Sequence, residues 1–234
     1  LGTATGERFS LEADLRRALE REEFSVFYQP RLDAHSGEVI GAEALVRWQH
    51  PTRGMISPGY FIPLAEETGL VVPMGEWVLR EACRQWRSWV DSGLPVGRVS
   101  VNLSTRQFLM PDLCAIIQRA MNETGLPPDL LELEVTESMV MQDVQRAVVT
   151  MQRIKDMGVA LAMDDFGTGH ASLNYLRRFP IDTLKVDQAF VRNLGTSTED
   201  TIIASVIISL GKALRLNVVA EGVETELQLQ VLRQ

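Results

Sequence analysis

Cysteine and histidine are scarce in this chain: two cysteines and three histidines among 234 residues. Cys83 and Cys114 lie far apart, each in a segment that reads as helix. That pattern excludes a disulfide framework and a thiolate metal cluster, and it fits a reducing cytoplasm. Both cysteines read as small core residues. No apolar run approaches the roughly 18 residues of a membrane span, so no membrane insertion is expected from this segment. Residues 1–6 lack the charged-then-apolar pattern of an export signal. They read as the tail of a linker, with 1–8 a linker remnant and 9–234 the folded domain. Low-complexity tracts are missing as well. So is any excess of positive charge, since 31 acidic residues outnumber 23 basic ones for a net charge of -8. A generic surface for polymeric nucleic acid is thereby excluded. An anionic ligand is still allowed where cations neutralise the site locally.

What is present is an ordinary globular composition, 45% hydrophobic and 23% charged. The length suffices for one large α/β domain or two small ones. Leu11, Leu15 and Leu19 predict a helix over Leu11–Glu20. Phe24–Tyr28 and Glu38–Val46 predict two strands, with His35-Ser36-Gly37 as the turn. The link is too short for a crossover helix, so these strands pair antiparallel. Further strands are expected near Val99–Leu103, Leu131–Val135, Val159–Met163, Thr183–Val186 and Asn217–Ala220. Helices fall between them. Glu76–Val90 aligns Leu79, Cys83, Trp86 and Val90. Asp143–Met157 aligns Val144, Val148, Met151 and Ile154 and stops at Gly158. Thr198 can cap a third helix carrying Ile202, Ile203, Val206 and Leu210. Repeated strand–helix units imply a parallel sheet with right-handed crossovers, closed as a (β/α)8 barrel. Seven strands are counted, so the closing strand is expected beyond Gln234.

Polar groups recur at the strand ends: Glu43, Asn102, Glu134, Asp164 with Asp165, Lys185 with Asp187, and Glu221. In a β/α barrel those ends share one mouth, where active sites lie. Acids gathered there repel one another and call for cations or protons. Oxygen donors without Cys or His select hard ions such as Mg²⁺ or Mn²⁺ over zinc. Adjacent aspartates can bridge two ions about 3.5–4 Å apart, the geometry of two-metal phosphoester hydrolysis. Lys185 would orient the attacking water or neutralise developing charge. The glycines of Asp165-Phe166-Gly167-Thr168-Gly169 give a tight, mobile loop able to approach a ligand. His170 reads as a surface loop residue.

Glu43-Ala44-Leu45-Val46-Arg47 reproduces the signature of the EAL domain family, and the chain resembles that family along nearly its whole length. Matching blocks are Tyr28-Gln29-Pro30, Trp48-Gln49-His50-Pro51, Phe61-Ile62-Pro63-Leu64-Ala65-Glu66, Asn102-Leu103-Ser104, Glu134-Val135-Thr136-Glu137-Ser138, Asp164 to Gly169, Leu184-Lys185-Val186-Asp187 and Ala220-Glu221-Gly222-Val223-Glu224. The resemblance implies a modified TIM barrel with an antiparallel first strand. It also implies hydrolysis of cyclic di-GMP to linear pGpG with two ions, Mg²⁺ or Mn²⁺, and inhibition by Ca²⁺. By the same resemblance Glu43, Asn102, Glu134 and Asp164 are similar to first-metal ligands, and Asp164 and Asp165 to those of the second. Glu221 is similar to the acid that binds metal water or acts as general base, and Lys185 to the water-positioning amine. Glu137 resembles the anchor of the loop Asp165–Ser172, and Glu224 a further acid behind the metal ligands. Gln29, Leu45 and Arg47 resemble substrate contacts, with Arg47 on a phosphate. A homodimer is expected, in the cytoplasm and fused to upstream sensory or diguanylate-cyclase-like domains, with tethering to a membrane through them as a further option.

Two departures stand out. His170 and Ala171 stand where the family more often has an aromatic or Asn and then Ser, and the family's closing strand with its glutamine is expected beyond Gln234. One rival reading is a receptor that binds cyclic di-GMP without cleaving it. Such members lack some metal acids, whereas every one that can be placed is present here. A second rival is a barrel enzyme of Schiff-base or enolase type built on Lys185, against which the doubled Asp164-Asp165 argues.

Overall fold

The computed structural model describes residues 2–167 and 173–233. The chain divides into two compact units, Leu1–Arg31 with Gly41–Pro127, and Leu32–Ile40 with Pro128–Gln234.

The first unit holds α1 (Gly2–Ala18), β1 (Phe24–Leu32), β2 (Val39–His50), β3 (Gly54–Ile56), α2 (Pro58–Thr68), α3 (Val71–Asp91), β4 (Arg98–Asn102), α4 (Thr105–Phe108) and α5 (Leu113–Thr124). Its strand order is β1-β2-β4, with β3 hung antiparallel on β2. The first two strands are antiparallel, and β2 and β4 are parallel. Leu15, Ala18, Phe24, Trp48, Phe61, Leu64, Ala65, Val71 and Met74 form one core. Phe24, Trp48 and Phe61 meet with ring centroids 5.6–6.0 Å apart. Such pairs contribute about 0.5–1.5 kcal/mol each beyond their buried area. The Trp48 indole N–H is satisfied by Glu23 Oε2 at 2.9 Å. Gly41 faces Arg98 in the β2–β4 register, and a Cβ there would lie 2.5 Å from the Arg98 carbonyl oxygen. Only glycine lets the strands come that close.

The second unit holds the hairpin tip, a short 3₁₀ turn (Pro128–Leu130), β5 (Leu131–Thr136), α6 (Glu137–Met141), α7 (Val144–Asp156), β6 (Ala160–Phe166), α8 (Leu173–Leu176), β7 (Thr183–Val186), α9 (Gln188–Val191), α10 (Thr198–Ala213), β8 (Asn217–Ala220) and α11 (Glu226–Leu232). Its strands run β5-β6-β7-β8, all parallel. Parallel strands are covered on both faces, and most residues of β5, β6 and β7 are buried. Gly211 of α10 sits on Val218 of β8, where a side chain would collide. The Asp33–Glu38 turn is pinned by Asp33 Oδ1, which accepts from the N–H groups of His35 and Ser36 at 2.9 and 2.7 Å.

The expected strands are present, and several run further than the sequence indicates. β1 continues to Leu32, β2 to His50 and β6 to Phe166. The last extension places Asp164 and Asp165 inside the strand rather than after it. β3 makes an eighth strand, three residues long. α1 begins at Gly2 instead of Leu11, and α3 at Val71 instead of Glu76. The residue capping α10 is Ser197, whose hydroxyl accepts from Asp200 N at 3.2 Å, so Thr198 is the first helical residue. Asp143 caps α7, and Gly158 follows it with φ 85°. Cys83 is buried as expected, whereas Cys114 is partly exposed. No helix among the described residues is long and apolar enough to cross a membrane.

Candidate active site

Strand alternation builds the site in the second unit. Glu132 and Glu134 share one face of β5, and Thr183 and Lys185 share one face of β7. The lower pair is a hydrogen bond from Thr183 Oγ1 to Glu132 Oε2, 2.7 Å. The upper pair is an ion pair between Lys185 and Glu134. Lys185 is 1% exposed, so its stem is core and its ammonium is cut off from water. Nζ also meets Asp164 Oδ2 at 3.1 Å and Glu221 Oε1 at 2.5 Å. One cation therefore gathers acids from β5, β6 and the end of β8. Removing one partner of such a buried group costs about 3–5 kcal/mol, because the other charges stay behind uncompensated.

Asp165 is the strained member. Its φ is 54°, in the left-handed region, at an irregularity in the β6–β7 register between Met163 and Phe166. Its N–H donates to Asp164 Oδ1 at 2.9 Å. Its carboxyl is pushed up to about 6, chiefly by burial and then by the Asp164 charge. A hydrogen bond to Asp187 and the Asp187 charge push the same way, and Lys185 opposes them. Asp187 in turn accepts from Ala189 N at 2.7 Å and caps α9. Sequence reasoning noted Asp187 beside Lys185 but gave it no role. The signal was available: Thr183, Lys185 and Asp187 keep the period of two that puts them on one face.

Glu137 opens α6 and is buried, with Oε2 accepting from Gly167 N at 3.1 Å. It thus holds the start of the loop that follows β6. Gly167 has φ 95°, and a Cβ there would press on Phe190 and Ile207 at 3.2 Å. Phe166 is buried. Thr168, Gly169, His170 and Ala171 lie outside the described residues. Glu221 N continues the β7–β8 ladder to Val186 O at 3.1 Å. Glu224 is exposed, and among the described residues its carboxylate takes no part in the Lys185 cluster.

In the first unit, Asn102 Nδ2 donates to Glu43 Oε1 at 2.7 Å. The register of β2 on β4 sets Glu43 opposite Ser100, two residues before Asn102. Arg47 donates to Val46 O at 2.9 Å and lies 5.5 Å from the Phe27 ring centroid. Gln29 is exposed and Leu45 half-buried.

The donor set is all oxygen, which suits a hard divalent ion. Burial and then the Asp164 charge raise the Asp165 carboxyl against the pull of Lys185, so positive charge placed beside it would favour its ionised form. Among the described residues, no three acid, histidine or cysteine groups already stand in the arrangement of an ion site. Glu134, Asp164 and Glu221 are instead turned onto the ammonium.

Parallel strands that end in acids around a buried lysine define an α/β protein with its polar site at the strand ends. The chain belongs to the EAL domain family, whose sequence model matches residues 12–234, and its fold is the TIM-barrel-like one of that family. It is 48% identical over 226 residues to the bifunctional diguanylate cyclase/cyclic di-GMP phosphodiesterase MucR of Pseudomonas aeruginosa, covering 97% of this chain and 33% of that protein. To the cyclic di-GMP phosphodiesterase NbdA of the same organism it is 43% identical over 228 residues, covering 97% and 29%. The chain thus spans about a third of the length of these curated relatives. A solved structure of the PaMucR phosphodiesterase in complex with c-di-GMP superposes with a TM-score of 0.93 at 48% identity, covering 96% of this chain and 91% of that one. The EAL domain of Mycobacterium smegmatis DcpA gives a TM-score of 0.76 at 38% identity, covering 90% and 86%.

Proposed function

We propose that this domain hydrolyses cyclic di-GMP to linear pGpG with the help of two divalent cations, Mg²⁺ or Mn²⁺. The observation that carries the reading is the Lys185 ammonium held among Glu134, Asp164 and Glu221 beside the protonatable Asp165. Likeness to phosphodiesterases that act on this dinucleotide supports the choice of substrate. Glu134, Asp164 and Asp165 in the second unit, and Glu43 and Asn102 in the first, are the oxygen donors available to cations. When bound, the cations would neutralise the phosphate and acidify a water.

The chain's own residues do the rest. Glu221 Oε1 takes the proton of the attacking water. Lys185 Nζ orients that water and faces the charge that develops as the new P–O bond forms. The bond to the 3′ oxygen breaks and that oxygen takes up a proton from solvent water, leaving a 5′ phosphate and a free 3′ hydroxyl. Arg47 supplies a planar cation for the second phosphate, and Gln29 and Leu45 line the substrate. The same reading places the domain in the cytoplasm, as a homodimer and as one part of a longer signalling chain.

The test is chromatography of cyclic di-GMP incubated with purified protein in Mg²⁺, in Ca²⁺ and in EDTA. Conversion to pGpG is expected only with Mg²⁺ or Mn²⁺. Binding in Ca²⁺ without turnover in Mg²⁺ would make the domain a receptor instead.

A further inference from the structure

Glu221 sits on a turn, Glu221-Gly222-Val223-Glu224-Thr225, between β8 and α11. Its amide is tied to β7 through Val186 O. At the other end Thr225 caps α11. Gly222 has φ 69° and leaves room for Gln188, whose Cβ would lie 3.0 Å from any Cβ at position 222. One buried side-chain amide ties this end of the turn to a distant segment. Gln228 is 5% exposed. Its Oε1 accepts from Glu224 N at 2.7 Å and Thr225 N at 2.9 Å. Its Nε2 donates to Arg192 O at 3.0 Å. Thr225 Oγ1 completes the capping box by accepting from Gln228 N at 3.2 Å.

Half of this arrangement is an ordinary helix cap. The other half is not, because Arg192 lies 36 residues away, just after α9. That short helix is capped by Asp187, which follows Lys185 by two residues. Gln228 therefore bridges two segments, one ending β7 with Lys185 and Asp187, the other ending β8 with Glu221. Backbone pairing of Glu221 N with Val186 O and the packing of Gly222 on Gln188 also join these segments, and Gln228 adds the side-chain tie at the far end of the turn.

We propose that Gln228 is a positioning residue: its side-chain amide locks the Glu221 turn to the segment after α9 and so fixes Glu221 against Lys185. The inference rests on the phosphodiesterase reading for its kinetic consequence, but its structural content does not. Losing a residue behind the reacting groups typically lowers activity by about 10- to 100-fold. Gln228→Ala is expected to lower kcat in that range while KM for cyclic di-GMP changes by less than about threefold, since Gln228 touches no substrate. Gln228→Glu keeps an acceptor for the two amides and loses the donor to Arg192. It is expected to fall between wild type and the alanine variant.

Both variants are assayed as the whole 234-residue chain, at a temperature well below their melting points. Amide hydrogen exchange is followed in parallel. The Glu221 N–H, which makes no bond to Gln228, should exchange at least about tenfold faster in Gln228→Ala, while Val218 and Val219 keep wild-type protection. Wild-type kcat and an unchanged Glu221 amide in Gln228→Ala would reduce the residue to a simple helix cap and overturn the proposal. If the alanine variant does not fold, wild-type kcat and exchange in Gln228→Glu overturn the Arg192 tether. If wild-type protein cleaves no cyclic di-GMP, the phosphodiesterase reading fails, and the exchange result alone decides the role of Gln228.

Discussion

The backbone N–H of Asp165 donates to Asp164 Oδ1 at 2.9 Å, which holds the two neighbouring carboxyls together at the end of β6. Burial first, and then the Asp164 charge, push the Asp165 carboxyl up to about 6 from an ordinary value of 3.8. Below the ordinary value the group is protonated folded or unfolded and has no effect on stability. As pH rises through the window to about 6 the unfolded chain gives up its proton first, so stability falls. Above about 6 the loss is complete.

Asp165→Asn should therefore raise the melting temperature of metal-free protein at pH 8 and leave it nearly unchanged at pH 4. Because the group is partly solvated, the gain is discounted to on the order of 1 kcal/mol, or roughly 2–4 °C for a chain of this size. Calorimetry in EDTA at both pH values checks this. An equal gain at pH 4 would mean that ionisation is not the cause.

Lys185→Met should lower kcat by roughly 10²–10⁴-fold, the range for a missing proton-transfer or water-positioning group. It should also destabilise the metal-free protein by about 3–5 kcal/mol at neutral pH, since Glu134, Asp164 and Glu221 then face one another without their cation. Denaturant titrations at pH 7.5, alongside turnover, measure both effects. A variant as stable as wild type at pH 7.5 would contradict the account of the cluster.

Glu43→Ala should abolish hydrolysis with the fold intact. Losing the hydrogen bond from Asn102 costs about 1 kcal/mol. Circular dichroism and turnover together decide it. Unimpaired cleavage of cyclic di-GMP would locate the chemistry away from β2.

Arg215 follows α10 with φ 61°, and its N–H closes the helix on Lys212 O at 3.1 Å. A side chain in that conformation costs about 1 kcal/mol relative to glycine. Arg215→Gly should thus stabilise the protein by about that amount without touching kcat. A lower melting temperature would show that the arginine side chain contributes more than its backbone costs.

How far these features could be read in the sequence depends on the range of the interactions behind them. β7 and β8 were legible to the residue, because short apolar runs between turn signals are what a covered parallel strand requires. α7 was legible through Asp143 and Gly158, which mark its ends locally. α2 was not read, since Pro58 opens it and Pro63 interrupts it. β3 is too short to carry a period. Within the site, the residue types at Glu134, Asp164, Lys185 and Glu221 announced themselves at the strand ends. Their convergence on one ammonium did not, because it depends on the stagger of neighbouring strands. Gln228 shows the same limit. Thr225-x-x-Gln228 is a readable capping box, but the tether to Arg192 exists only in three dimensions.

The ammonium of Lys185 is a counter-ion supplied by the polypeptide itself. Because it travels with the chain, the acids around it are balanced in part from the moment of folding, before any divalent ion is found. Chelation should consequently leave the domain dormant but intact, ready to resume when ions return, rather than unfolded and lost to proteolysis.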